Sequence, residues 1–208
     1  MCRDAGCDIM EVGCPMIYSF GHRATAYLRD VLGPGYPLAV DYKAQDHVYT
    51  HFLEAHRFGA DYATVCCYNN EGGFKEALRA KEDTGIKVIA DLFATPAEQL
   101  PALARHCEDS GADIVLLHFG AEENMYGCWP GRRDSDYVRE VAPVLNRCPL
   151  WVVSNEPEDV ERSIKDGADG ILFGFALADN SLESYKKTKA FVDMTAELSK
   201  KYYKPQTL

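Results

Sequence analysis

No stretch of this 208-residue chain approaches the roughly 18 consecutive apolar residues that a membrane-spanning helix needs. The opening Met1-Cys2-Arg3-Asp4-Ala5-Gly6 has no apolar core of the kind a signal peptide carries, so a cytoplasmic address is expected. A basic surplus is also absent. Lys and Arg total 22 against 32 Asp and Glu, for a net charge of −10, which excludes a nucleic-acid backbone as the main partner. C-x-x-C pairs are missing too, which removes the usual scaffold of a structural zinc site. The eight cysteines are expected to be reduced, because a chain this long without an export signal needs no disulfide staples.

What the chain does have is a 47% hydrophobic composition, enough for one well-buried core, and an internal repeat. Four segments share a pattern: Gly6-Cys7-Asp8-Ile9-Met10, Gly59-Ala60-Asp61-Tyr62-Ala63, Gly111-Ala112-Asp113-Ile114-Val115 and Gly167-Ala168-Asp169-Gly170-Ile171. Each puts glycine where a helix should end, followed by a short apolar run fit for a buried parallel strand. A second set, Pro37 to Asp41, Lys87 to Asp91 and Pro149 to Val153, falls between them. The intervening segments read as helices. One opens on a capping box, Thr95-Pro96-Ala97-Glu98; another begins near Pro157. The last runs from about Ser181 to Tyr202, with Leu182, Phe191, Met194 and Leu198 on one side.

Strand–helix alternation of this length implies a parallel sheet with right-handed crossovers. The expected fold is a (β/α)₈ TIM barrel in a single domain over residues 1–208, with 190–208 forming the last helix end and a tail. Only seven strands can be counted, so the first strand of the barrel is expected to be lacking. A doubly wound open sheet is the competing fold.

Barrel active sites lie at the C-terminal ends of the strands. Those positions carry Glu11, Asp41 with Lys43, Cys66 and Cys67, Asp91, His118, Ser154 with Asn155, and Gly174. Singly, a strand-end aspartate is most often a cap and a histidine such as His118 most often structural. Ionisable groups at four strand ends of one face make a site. Glu11 and Asp41 come from neighbouring strands and suit Mg²⁺, a hard ion that takes oxygen ligands and keeps several waters. Lys43 is placed to meet Asp41, Asp46 and a developing negative charge.

The run Asp41-Tyr42-Lys43-Ala44-Gln45-Asp46 matches the D-x-K-x-x-D motif of the orotidine-monophosphate decarboxylase suprafamily. Ile9-Met10-Glu11-Val12-Gly13-Cys14-Pro15 resembles the glutamate-bearing strand of two of its branches, 3-keto-L-gulonate-6-phosphate decarboxylase and 3-hexulose-6-phosphate synthase. Thr64-Val65-Cys66-Cys67 is similar to the decarboxylase branch, Asp91 to the synthase branch, and His118 stands where the family has a histidine. The resemblance implies a homodimer with shared active sites and a carbon–carbon lyase reaction on a keto-sugar phosphate or sugar acid through an enediolate. By the same resemblance Glu11 and Asp41 would bind Mg²⁺. Lys43 would lie against the intermediate, Asp46 would reach the partner's site, and His118, with Asp91 among the catalytic set, would move a proton.

Three departures stand beside it. The family's opening strand has no counterpart, Ser154 and Asn155 replace a phosphate-binding Gly-Gly turn, and Gly174-Phe175 replaces Gly-Arg. Losing that guanidinium removes a charge-assisted contact of about 1.5–3 kcal/mol. Ser154, Asn155 and the Gly174 amide are the substitute donors, with Arg132 and Arg133 further candidates in a segment that also holds Trp129 and Gly131. A non-catalytic or altered-ligand paralogue, one subunit of a mixed assembly, is the alternative function.

Overall fold

Seven parallel strands follow one another around a sheet in strict chain order in the computed structural model, which describes residues 1–120, 122, 125–126, 133–174 and 181–203. The strands are β1 (Met10–Val12), β2 (Leu38–Ala44), β3 (Tyr62–Cys66), β4 (Lys87–Asp91), β5 (Ile114–Leu117), β6 (Leu150–Val153) and β7 (Gly170–Leu172). The helices are α1 (Cys2–Ala5), α2 (Cys14–Phe20), α3 (His22–Leu32), α4 (Val48–Arg57), α5 (Glu71–Thr84), α6 (Leu100–Ser110), α7 (Asp134–Val141), α8 (Pro157–Asp166) and α9 (Leu182–Tyr202). Doubly wound sheets reverse their strand order at a switch point, and this order has no reversal, so the TIM-barrel-like alternative stands. The sheet curls so far that α1 packs against α9, where Val192 approaches Gly6. Within the described residues β1 and β7 are the two edges of the sheet. None of the described helices is long and apolar enough to cross a membrane.

The repeat acquires a physical meaning here. Gly6, Gly59, Gly111 and Gly167 all have φ between 94° and 112°, the left-handed turn that only glycine adopts without strain. The aspartate two residues later clamps the start of the preceding strand. Asp61 accepts the Leu38 amide at 2.8 Å, Asp113 the Val88 amide at 2.8 Å and Asp169 the Leu150 amide at 2.8 Å. Each aspartate's own amide donates back to the carbonyl of the same residue. Asp113→Ala should therefore lower stability by about 1.5–3 kcal/mol, the range for a hydrogen bond to a charged group. Urea denaturation checks this, and an unchanged midpoint would leave the repeat without a structural role.

Burial sorts the strands by parity. One face (Ala39, Ile89, Ile114 and Leu116, with Ile9, Tyr62, Trp151, Val153 and Leu172 against them) fills the inside of the curl. The opposite face packs under the helices through residues such as Val40, Val65, Val88, Val115, Leu117 and Val152.

Two helix readings change. Thr95-Pro96-Ala97-Glu98 does not cap an α-helix. Ala97–Gln99 is a 3₁₀ turn, α6 starts at Leu100, and the Thr95 hydroxyl is buried without a partner among the described residues. In α9, Phe191, Met194 and Leu198 pack against Val160 and Ile164 of α8, but Leu182 is exposed in the first turn. By contrast α8 begins at Pro157 and α9 follows Ser181, as expected from the sequence. All seven described cysteines are free thiols.

Candidate active site

Strand parity builds the site. Side chains alternate faces along a strand, so each interior residue places the one two positions on above it, toward the mouth. Ile9 leads to Glu11, Ala39 to Asp41, Tyr62 to Thr64, Ile89 to Asp91, and Leu116 to His118. Ser154 follows the outward-facing Val152 and belongs to the other layer: its hydroxyl sits 3.3 Å from that of Ser163 on α8.

At the centre, Lys43 forms an ion pair with Asp41, its Nζ also lying 3.2 Å from the Cys14 sulfur. Asp41 is almost fully enclosed. Its Oδ1 accepts the Thr64 hydroxyl at 2.9 Å, and its Oδ2 accepts the Cys14 thiol at 3.2 Å besides the ammonium. Thr64 also receives the Lys43 amide at 3.0 Å. The pairing of β2 with β3 is irregular between Val40 and Ala44, and Lys43 itself has φ 48°, a left-handed conformation that a lysine adopts only when its surroundings hold it. Burial pushes the Asp41 carboxyl up, but the Lys43 charge and the three hydrogen bonds outweigh it, leaving Asp41 below the ordinary carboxylate value. Burial works against the Lys43 ammonium too, and Asp41 outweighs it, so Lys43 stays charged well beyond neutral pH.

Glu11 is the contrasting carboxylate. Among the described residues no hydrogen-bond donor reaches it, and burial followed by the Asp41 charge pushes it up to about 7, with Lys43 and His118 opposing. Across the mouth, His118 Nδ1 lies 3.1 Å from Asp91 Oδ2, while Asp91 Oδ1 takes the Phe93 amide at 2.9 Å. Burial lowers the imidazole, and the fully buried Asp91 carboxylate more than reverses this, so His118 binds its proton more tightly than usual.

Other expected members stand apart. Asp46 is 92% exposed, capped only by its neighbour His47. It lines an open groove of about 330 Å³ with Gly72, Gly73, Glu76 and Arg79, a lining that includes none of Glu11, Asp41, Lys43, Asp91 or His118. Asn155 and Gly174 do meet, the Gly174 amide donating to Asn155 Oδ1 at 3.1 Å, while the Ser154 amide donates to Leu172 O at 2.9 Å. Arg133 is committed to Asp159 at 2.5 Å. Trp129, Gly131, Arg132 and Phe175 lie outside the described residues. Cys14 and Thr64 were given no site role from the sequence, where they stand only within the quoted motifs. Only the motif around each carried a signal.

Among the described residues no three His, Cys, Asp or Glu side chains gather tightly enough to form a metal cage by themselves. Glu11 and Asp41 nevertheless fit a hard cation that keeps several waters. They offer oxygen only, and burial together with the neighbouring Asp41 charge pushes the Glu11 carboxyl up, a cost that a bound cation would relieve.

No protein-family model matches the chain. In sequence it is similar to 3-hexulose-6-phosphate synthase 2 of Staphylococcus saprophyticus, 26% identical over 189 residues, covering 89% of this chain and 85% of that protein. In structure it resembles 3-hexulose-6-phosphate synthase from Salmonella typhimurium, with a TM-score of 0.82, 22% identity, and coverage of 94% and 89% of the two chains. It also resembles 3-keto-L-gulonate-6-phosphate decarboxylase from Vibrio cholerae, with a TM-score of 0.73, 20% identity, and coverage of 92% and 86%. The structural likenesses carry the fold, and the sequence relatives support the suprafamily and branch read from the motifs.

Proposed function

We propose that the chain is a carbon–carbon lyase that acts on a keto-sugar phosphate or sugar acid through an enediolate. The observation that carries this reading is the position of the Lys43 ammonium. It is pinned by Asp41 and Cys14 on the interior face, between Glu11 and the His118–Asp91 pair.

When a carbon–carbon bond beside a ketone breaks, its electron pair stays on the substrate and spreads onto oxygen. A fixed cation aimed at that developing charge stabilises the transition state without any reorganisation. Lys43 is such a cation, and its tie to Asp41 keeps it protonated at every working pH. Asp91 holds His118 through Nδ1, which leaves Nε2 as the ring nitrogen that gives a proton to the substrate carbon or takes one from it. Glu11 and Asp41 are the residues that would hold Mg²⁺, which when bound supplies a second positive charge for the substrate oxygens. The leaving fragment is formaldehyde in one version and carbon dioxide in the other. The outward placement of Asp46 supports a homodimer in which it completes the neighbouring site.

The test is to give the full chain and Mg²⁺ a hexulose 6-phosphate and, separately, a keto-hexonate 6-phosphate, and to follow formaldehyde and carbon dioxide. Release of either confirms a lyase and names the branch; release of neither from any sugar phosphate overturns the proposal.

One observation favours a second reading, an altered-ligand paralogue. The backbone amides of Ser154 and Gly174, where a phosphate grip is expected, already have partners within the protein. Calorimetry with pentulose and hexulose phosphates separates the two readings, since tight phosphate-dependent binding counts against the second.

A further inference from the structure

Asp8 is the first aspartate of the glycine repeat, and its backbone is built like the other three. In every copy the amide between glycine and aspartate donates five residues back into the preceding helix. Cys7 bonds to Cys2 at 3.1 Å, Ala60 to Ala55 at 2.9 Å, Ala112 to Cys107 at 3.0 Å and Ala168 to Ser163 at 2.9 Å. Gly6 has φ 100°, the same left-handed turn as its three counterparts. What differs is the grip. Asp61, Asp113 and Asp169 each hold one residue of the preceding strand at two points. Oδ2 accepts the amide of Leu38, Val88 or Leu150, and the aspartate's own amide donates to that residue's carbonyl at 2.8, 3.0 and 2.8 Å. Asp8 is exposed, and among the described residues neither its carboxylate nor its amide has a hydrogen-bond partner.

The repeat also says which side Asp8 serves. Asp61 precedes β3 and holds β2, Asp113 precedes β5 and holds β4, and Asp169 precedes β7 and holds β6. Asp8 precedes β1, so its grip belongs to the side of β1 away from β2, an edge of the sheet within the described residues. Burial agrees. Met10 and Glu11 of β1 and all three residues of β7 are half-buried, whereas β5 on the opposite wall is buried throughout.

We propose that Asp8 and the β1 edge dock an extended apolar segment of a separate polypeptide, which runs parallel to β1 and is held by its backbone at one aliphatic residue. The three filled copies show what the grip takes, a parallel strand entered at Leu or Val. Ile9 and Leu172 line the inside of the curl at the two edges, so the docked segment needs apolar side chains inward, and the helix layer asks the same of its other face. A second folded copy is the wrong occupant. Two copies related by a two-fold axis set β1 against β1 antiparallel, which the parallel grip does not match. Outside these edges α1 and α9 pack on each other, which bars a whole sheet edge and leaves an extended segment to enter. The inference is independent of the lyase reading.

The probes are synthetic peptides of residues 36–41, 86–91 and 148–153, the strand starts that the filled copies hold, titrated by calorimetry into the full chain. At least one should bind saturably, one to one. Asp8→Ala should weaken it by about tenfold or more, the effect of losing a hydrogen bond to a charged group. Methylating the peptide nitrogen at the gripped Leu or Val reads the same bond without altering the chain and should weaken binding as much. The proposal is overturned if none of the three peptides binds, or if binding is indifferent to both changes. It is also overturned if Asp8→Ala, without peptide, lowers the urea midpoint as far as Asp113→Ala does, since the grip would then be filled from within the chain. Sedimentation of the chain alone covers the remaining occupant: a dimer that Asp8→Ala splits would mean a second copy on this edge and would equally overturn the proposal.

Discussion

Lys43→Ala is expected to lower kcat/KM on whichever sugar phosphate is cleaved by about a thousandfold, the upper range for removing one fixed electrostatic donor. The variant takes away the charge that faces the developing oxyanion and leaves Asp41 buried with only the Thr64 and Cys14 donors. Breaking an enclosed ion pair from one side should cost on the order of 3 kcal/mol of stability. Asp41 sits below its ordinary carboxylate value in the intact chain, so its contribution is present above that value and fades as pH falls through the depressed one. The stability gap between variant and parent should therefore be full at neutral pH and shrink in acid. Steady-state kinetics beside denaturant titrations at several pH values check both effects; undiminished turnover would end the role given to Lys43.

The largest effect on stability alone is expected at Glu108, far from the mouth. Buried on α6, its Oε1 accepts the amides of Asn146, Arg147 and Cys148 at 2.9, 2.6 and 2.8 Å, closing the turn that leads into β6. Burial pushes this carboxyl up, yet the three amides more than compensate and leave it below 4.5. Glu108→Ala leaves the Cys148 amide buried and unpaired and frees the other two, so a loss of about 3 kcal/mol is expected near pH 7. The depressed value fixes the sign of the pH dependence: the benefit is complete above 4.5 and is lost as pH falls through the folded-state value. Thermal unfolding of the parent and Glu108→Ala at pH 7 and pH 3 reads this directly. Equal differences at the two pH values would show that packing, not the carboxylate, holds the turn.

The contrast between Lys43 and Glu108 shows what a linear reading reaches. Asp41, Lys43 and Glu11 were legible because β-strand parity and a local motif carry them. Each glycine of the repeat announced a helix end and the short apolar run after it a strand, while the clamp made by the aspartate between them showed only in the structure. Glu108 was invisible, because its partners are nearly 40 residues away and no local pattern distinguishes it from the solvated acid Asp109 beside it. Thr95-Pro96-Ala97-Glu98 erred in the opposite direction. Its local pattern was right for a cap, but Thr95 is drawn into the interior and the helix forms five residues later. Parity also moved Ser154 from the mouth to the helix layer, which strand ends alone could not show.

The packing of α1 against α9 has a consequence for how the chain assembles. Every strand pairs with the next one along the chain, so most of the sheet grows through short loop closures with little entropy to overcome. The α1–α9 contact joins the two ends of the sequence and is the most distant in chain terms. It should form last and open first, giving amides of these two helices faster hydrogen exchange than those of β3 and β4. A chain caught before this step would hold an ordered central sheet with α1 and α9 still apart.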